Sequence, residues 1–331
     1  MSQAGFEPVV LLGRASDERA ELLVIDRRTP TPLPPEEAAD VPPCIEGRLT
    51  GPQCGRATML PTVVRLEPLP TPRGGLAMAR AILTEPAFWQ PEVPARYRLQ
   101  ARVTVAGREV ASCDRWFGMR RTGIRGRSLW LEGRRFVPRA VGLGGLPATA
   151  IADLRLLAAA ALIADPDAAT CDRATAEGIV IIARLPVAWE SGDGRMLGEQ
   201  LVALAGSAAV LMAVIPAAVP AHVVAAAVAV AGRSRGTLLL AREVDATVPP
   251  PSGPLAPIDC LVATLPRGAL PHARWRQAPP LPVMVAWEPG SDPLPAAASR
   301  ADCDRLQALL AGWGQDAQEH PPWEWAGYLV G

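Results

Sequence analysis

The chain has 331 residues, 49% of them hydrophobic, which is enough for two domains of ordinary size with substantial cores. Acidic and basic residues balance at 33 each, so neither nucleic acid nor an anionic membrane is favoured as a partner. Lysine and asparagine are absent altogether, and every base is arginine. A GC-rich genome accounts for this bias, but the missing asparagine bears on chemistry below.

At the N-terminus, MSQAGFEPVVLLGRASDERAE has neither the basic nor the apolar region of a signal peptide, and a cytoplasmic protein is expected. Residues 1–138 read as strands. VVLLG, ELLVID, TVVRLEP, LAMARAIL, YRLQARVTV and SLWLEG are short β-leaning runs between Pro- and Gly-rich turns. Their spacing predicts an antiparallel immunoglobulin-like β-sandwich, assigned to 1–130. YRLQARVTVAGREVAS is the plainest hairpin: Tyr97, Leu99, Ala101, Val103 and Val105 alternate before a turn at Ala106-Gly107. The proline-rich stretch 29–43, TPTPLPPEEAADVPP, reads as an exposed loop.

Further along, apolar runs alternate with helical stretches. The predicted strands are FVPRAVG, ALIAD, GIVIIARLP, AAVLMAVIP, TLLLAREVD, DCLVATLP, LPVMVAWEP and WAGYLV. Helices are predicted at ATAIADLRLLAAA, GRMLGEQLVALAG, AHVVAAAVAVAGR and RADCDRLQALLAGW. Runs without polar alternation are what strands covered on both faces show. Eight of them joined by crossovers predict a (β/α)8 TIM barrel over 131–331. It is a lean one, because the proline-rich connections 246–258 and 267–280 carry no helical pattern. The most hydrophobic stretch, 201–232, is interrupted by Pro216, Pro220 and His222, and reads as strand, turn and helix rather than a membrane span.

Cys44, Cys54, Cys113, Cys171, Cys260 and Cys303 are dispersed, with no CxxC and no Cys/His cluster at metal spacing. Cys44 and Cys54 are near enough in sequence to pair, while reduced structural thiols are the default. No metal is expected. The glycines at 142, 144 and 145 follow a strand but lack dinucleotide-binding spacing, and no cofactor is expected either.

FWQPEVPARYRLQARV and then DRWFGMRRTGIRGRSLWLEGRRFVPRAVG resemble glycoside hydrolase family 2, the β-galactosidase/β-glucuronidase group. Trp89, Pro91, Pro94, Tyr97, Leu99, Gly118, Met119, Arg120, Leu131, Gly133 and Arg139 match its sandwich strand and the hairpin leading to its barrel. Asp153, Pro166, Asp172, Gly178, Ile179 and Val180 match the segment through barrel strands two and three. MVAWEPG is similar to the family's strand-seven segment, and WEWAGYLVG to its last strand. The resemblance runs over roughly 80–331 and implies the sandwich-plus-barrel architecture.

It also implies where chemistry belongs. Retaining glycosidases set two carboxyl groups about 5–5.5 Å apart, one as nucleophile and one as acid/base. By the resemblance, Glu288 stands at the nucleophile position after strand seven. The acid/base belongs after strand four in an Asn-Glu pair, where this chain has Ile215-Pro216-Ala217. The family's N-x-H-E after strand one is GLGGLP here, and its R-x-x-H after strand two is gone. Asp165, Arg184, Trp189, Glu243 and Asp245 lie at or just past predicted strand ends, and Glu243 or Asp245 is the candidate substitute acid. The competing assignment makes Arg242, Glu243 and Arg184 a salt-bridge set closing the barrel. Trp189, Trp275, Trp287, Trp323 and Trp325 fall in barrel loops, with sugar stacking or packing as their alternatives; Asp165, Arg184, Trp189 and Trp287 are the candidate substrate-binding residues.

Three readings follow. The preferred one is a catalytically degenerate family-2-like protein that binds a glycan or a protein partner. The alternatives are an atypical retaining β-glycosidase with Glu288 as nucleophile and a relocated acid, and a barrel enzyme of other chemistry using Asp165, Arg184 and Glu243. The sequence names no oligomeric state.

Overall fold

The computed structural model describes residues 8–27, 42–70, 76–186, 194–252, 257–277, 279–288, 295–315 and 324–331. Most of the proline-rich stretch 29–43 therefore lies outside the described residues. The chain divides into two compact units, Met1–Arg120 and Arg121–Gly331.

The first unit is a sandwich. Strands β1 (Val9–Ala15), β2 (Arg19–Ile25), β5 (Glu67–Pro68) and β6 (Met78–Thr84) pair in the order β1-β2-β6-β5. Strands β3 (Cys44–Gln53), β4 (Thr62–Arg65), β7 (Arg96–Val105) and β8 (Arg108–Phe117) pair in the order β4-β3-β7-β8. These are the strand orders of the two sheets of an immunoglobulin-type sandwich. Alternation buries one face of each sheet: Leu22, Val24, Ala81 and Leu83 from one meet Ile45, Leu49, Leu99 and Val103 from the other. The hairpin turns at Ala106 and Gly107, with φ of 50° and 76°, the two left-handed residues a tight hairpin needs.

Strand β3 is absent from the predicted elements because Gly47, Gly51 and Pro52 read as turn residues. Its centre needs that glycine. A Cβ on Gly47 would lie 2.2 Å from the carbonyl oxygen of Gln100 on the neighbouring strand. Tyr97, fully buried near the start of β7, accepts a 2.9 Å hydrogen bond at its hydroxyl from the Ala87 N–H. A tyrosine so placed, bonded to backbone shortly upstream, is the corner that immunoglobulin-type sandwiches share.

The second unit opens with a small sheet of β9 (Thr122–Arg125), β10 (Ser128–Leu131) and β11 (Arg134–Phe136). Then come β12 (Arg139–Leu143), β13 (Ala160–Ala164), β14 (Ile181–Arg184), β15 (Val210–Ile215), β16 (Leu239–Asp245), β17 (Cys260–Leu265), β18 (Val283–Trp287) and β19 (Gly327–Val330). All eight are parallel and close into a barrel in chain order, as the apolar runs predict. Helices α1 (Ala148–Leu156), α2 (Ala168–Glu177), α3 (Gly194–Ala205), α4 (Ala221–Ala231) and α5 (Ala296–Gln315) cover it. Among the described residues no α-helix follows β16 or β17, so the barrel is lean where expected.

Helix α2 is not among the predicted helices. Its alanine-rich, charged sequence has a thin apolar stripe, but both ends are marked. The Asp167 carboxylate accepts from the Thr170 N–H at 2.7 Å, and Gly178 ends the helix at φ 68°. Among the described residues, no helix is long and apolar enough to cross a membrane.

None of the six cysteines is in a disulfide, and Cys44 and Cys54 do not pair. Burial pushes the Cys171 and Cys303 thiols up to about 12 and Cys260 higher still. Alkylation of the native protein near pH 8 is therefore expected to spare these three and modify only among Cys44, Cys54 and Cys113, read by peptide mass. Replacing Tyr97 by Phe keeps the ring and orphans the Ala87 N–H, and is expected to lower unfolding stability by about 1–2 kcal/mol in denaturant titrations.

Candidate functional site at the barrel mouth

The strand registers determine which side chains share a level inside the barrel. Starting at Gly142 on β12, crossing two strands leads to Ile182, and the inward position at the same level is Arg184, two residues on. The same step leads from Arg184 to Glu243, then to Ala286, and back to Gly142. The circuit closes with the shear ordinary for this barrel, four inward positions contributed by alternate strands.

An independent contact agrees. Arg184 Nε donates to Glu243 Oε1 at 2.7 Å although β15 separates their strands, which requires both side chains to point inward. Below this level the inward residues are Leu162, Val214, Val262 and Leu329, then Ala140, Ile182, Ala241 and Met284. Lower still, Met212 and Cys260 touch through their sulfurs at 3.6 Å. The interior is an apolar stack closed at its C-terminal end by one ion pair. Glu243 is 9% exposed, while the Arg184 side chain is 37% exposed and forms the outward half.

Of the predicted salt-bridge set, Arg184 and Glu243 are brought together and Arg242 is not. Alternation turns Arg242 outward, where its guanidinium donates to the Ala217 and Val219 carbonyls at 3.1 and 2.8 Å. Burial holds its pKa below the usual range. Asp245 is exposed and engaged locally, its Oδ1 accepting from the Thr247 N–H and hydroxyl, each at 2.7 Å. Those bonds keep its carboxyl below the ordinary value.

Asp165 follows β13 in the left-handed region, at φ 44°. Its N–H donates to the Arg184 carbonyl at 2.9 Å, and its Oδ1 accepts from Gln200 Nε2 of α3 at 2.5 Å. Gln200 carried no signal in the sequence, since a glutamine on an amphipathic helix reads as surface.

Glu288 is exposed just past the end of β18. Its N–H donates to the Leu265 carbonyl at 2.9 Å, which continues the strand pairing and puts its side chain on the same side as Ala286. Trp287 therefore points the other way, away from the lumen. Arg267 lies over its ring, 5.4 Å from the centroid, and pairs with Asp302 on α5. Trp275 is fully buried and donates to the Val248 carbonyl at 2.8 Å, and Trp325 packs on Trp313 with ring centroids 6.3 Å apart. Trp189 and Trp323 lie outside the described residues. Among the described residues, no group of three His, Cys, Asp or Glu side chains could hold a metal ion.

No family model and no curated protein sequence matches the chain. Solved structures do. β-Glucuronidase from Ruminococcus gnavus, in complex with D-glucuronic acid, matches with a TM-score of 0.65 at 12% identity, over 98% of this chain and 60% of that one. A putative β-galactosidase from Bacteroides fragilis gives 0.62 at 11%, over 97% and 54%. A glycosyl hydrolase family 2 member from Bacteroides cellulosilyticus gives 0.61 at 14%, over 98% and 44%. The chain spans about half the length of the proteins it matches. Identity this low speaks for fold and not for activity. The strand orders of the sandwich, the closed eight-stranded barrel and these matches together give the chain the fold of glycoside hydrolase family 2 enzymes, the group its FWQPEVPARYRLQARV and DRWFGMRR segments resemble.

Proposed function

We propose that the chain is a catalytically degenerate member of this fold group, a pseudoenzyme that serves as a binding or structural protein for a glycan or a protein partner. The observation that carries this reading is the mouth layer of Gly142, Arg184, Glu243 and Ala286. Its one carboxylate is held by Arg184 at 2.7 Å.

Strand four, β15, ends at Ile215 and is followed by Pro216 and Ala217, none of which can supply a proton. Loss of general acid catalysis ordinarily costs about 10²–10⁴ in rate. The location that accompanies this reading is the cytoplasm, in keeping with six cysteines that form no disulfide. Neither nucleic acid nor membrane is among the proposed partners.

A second reading has one observation in its favour. Glu288 stands exposed past β18 on the lumen side, where a retaining β-glycosidase of this fold carries its nucleophile. On that reading the relocated acid is Glu243 or Asp245, both on β16 at the same end of the barrel. Each is already engaged, Glu243 by Arg184 and Asp245 by Thr247.

Activated 2-deoxy-2-fluoro-glycosides separate the two, because their leaving groups need no acid and so report on the nucleophile alone. Incubation with a panel that includes glucuronides and galactosides, followed by intact-mass measurement, is expected to give no adduct. An adduct on wild type that Glu288→Gln abolishes would establish the glycosidase reading instead.

A further inference from the structure

The sandwich has an edge whose composition the fold does not explain. Strand β4 (Thr62–Arg65) pairs only with β3 among the described residues, leaving one row of backbone N–H and C=O groups open. Leu49 and Val64, in register, face the core, so Thr50, Val63, Arg48 and Arg65 face out. Val63 is 62% exposed, and Leu60, just before the strand, is 92% exposed.

The charges on this face are unevenly distributed. Arg98 makes a two-pronged pair with Asp114 at 2.7 and 2.6 Å, and Arg102 pairs with Glu46 at 2.8 Å. Those four balance toward the β8 side. At the β4 edge, Arg65 stands directly opposite Arg48. Arg48 donates at 3.0 Å to the Gln100 side chain and also feels the Asp114 carboxylate, whereas among the described residues Arg65 has no ion pair. Like charges directly opposite each other on adjacent strands are destabilising. Among the described residues the edge therefore combines open backbone, two exposed apolar side chains and, at Arg65, a guanidinium with no ion pair.

From this juxtaposition we infer that the β4 edge is a docking site for an extended segment of a protein partner, added as a fifth strand, with an acidic residue two positions from an apolar one. Strand addition supplies backbone hydrogen bonds, and alternate side chains supply selectivity. On the outer face of the added strand, the apolar residue lies beside Val63 and the carboxylate beside Arg65 and Arg48. A second copy of this chain is a poorer occupant, since it would bring the same cations against each other. An acidic polysaccharide would use the cations but leave the open backbone and Val63 unsatisfied. The inference stands apart from the barrel mouth and from whether any hydrolysis survives there.

Selection of short peptides from a random display library, run in parallel on the full chain and on Arg48→Glu/Arg65→Glu, tests it. Wild type is expected to enrich peptides with an apolar–x–acidic pattern, and the charge-reversed variant to enrich basic residues at that position. The wild-type peptide, measured by fluorescence anisotropy, is expected to bind the variant on the order of tenfold more weakly, and to lose affinity with salt. Val63→Asp, which leaves both arginines in place, is expected to weaken it as well.

Circular dichroism checks that each variant is folded. No enrichment on wild type, or binding indifferent to both changes, overturns the inference. So does polygalacturonate competing with the peptide while Val63→Asp has no effect, which would assign the edge to an acidic glycan. Self-association of the variant with unchanged peptide binding would make the arginines guards of an open edge and nothing more.

Discussion

A closed barrel of eight parallel strands has no spare interior. Each level takes four side chains, and what one strand gives up its alternates must fill. This chain is alanine- and glycine-rich at inward positions, and it meets the constraint with Leu162, Val214, Val262 and Leu329 in one layer and a single ion pair above them. Gly142 fits the pattern, since a Cβ there would lie 2.5 Å from the Cα of Gly331. Arg184 reaches across β15 to Glu243 because Gly142 and Ala286 in the same level occupy almost no volume. On the proposed reading, the ion pair belongs to the packing of the barrel before it belongs to any chemistry.

Much of this was legible in the sequence, for physical reasons that also explain what was not. Strands covered on both faces lose their polar alternation, so all eight barrel strands stand out as apolar runs. The proline-rich connections after β16 and β17 announce their missing helices. Sandwich strands with one wet face alternate, and the YRLQARVTV hairpin could be placed to the residue of its turn. Strand β3 was hidden because close packing against Gln100 demands glycine at position 47, and glycine reads as a turn. Helix α2 was hidden because its signals lie in its caps rather than in its stripe.

The site was less legible than the fold. Strand ends can be read, so Asp165, Arg184, Glu243, Asp245 and Glu288 were all placed near the barrel mouth. Which of them meet depends on shear, which no local pattern encodes. Arg184 and Glu243 meet across an intervening strand, while Arg242, one residue away, faces outward to the Ala217 and Val219 carbonyls. Trp287 likewise follows from alternation: once Ala286 faces in, the indole must face out, where Arg267 covers it. Sequence proximity to a catalytic position is not the same as pointing toward it.

The central claim is that the barrel mouth is filled for stability rather than prepared for reaction, and a double-mutant cycle on its ion pair tests this most directly. Arg184→Met, Glu243→Leu and the double variant would be unfolded in denaturant. Removing Arg184 alone leaves a buried carboxylate without its cation, and is predicted to cost about 1–3 kcal/mol, toward the lower end because Arg184 is partly exposed. Replacing both with apolar groups of similar size is predicted to recover most of that loss. Single variants as stable as wild type, with no coupling between them, would contradict the account and leave Arg184 and Glu243 free for some other task at the mouth.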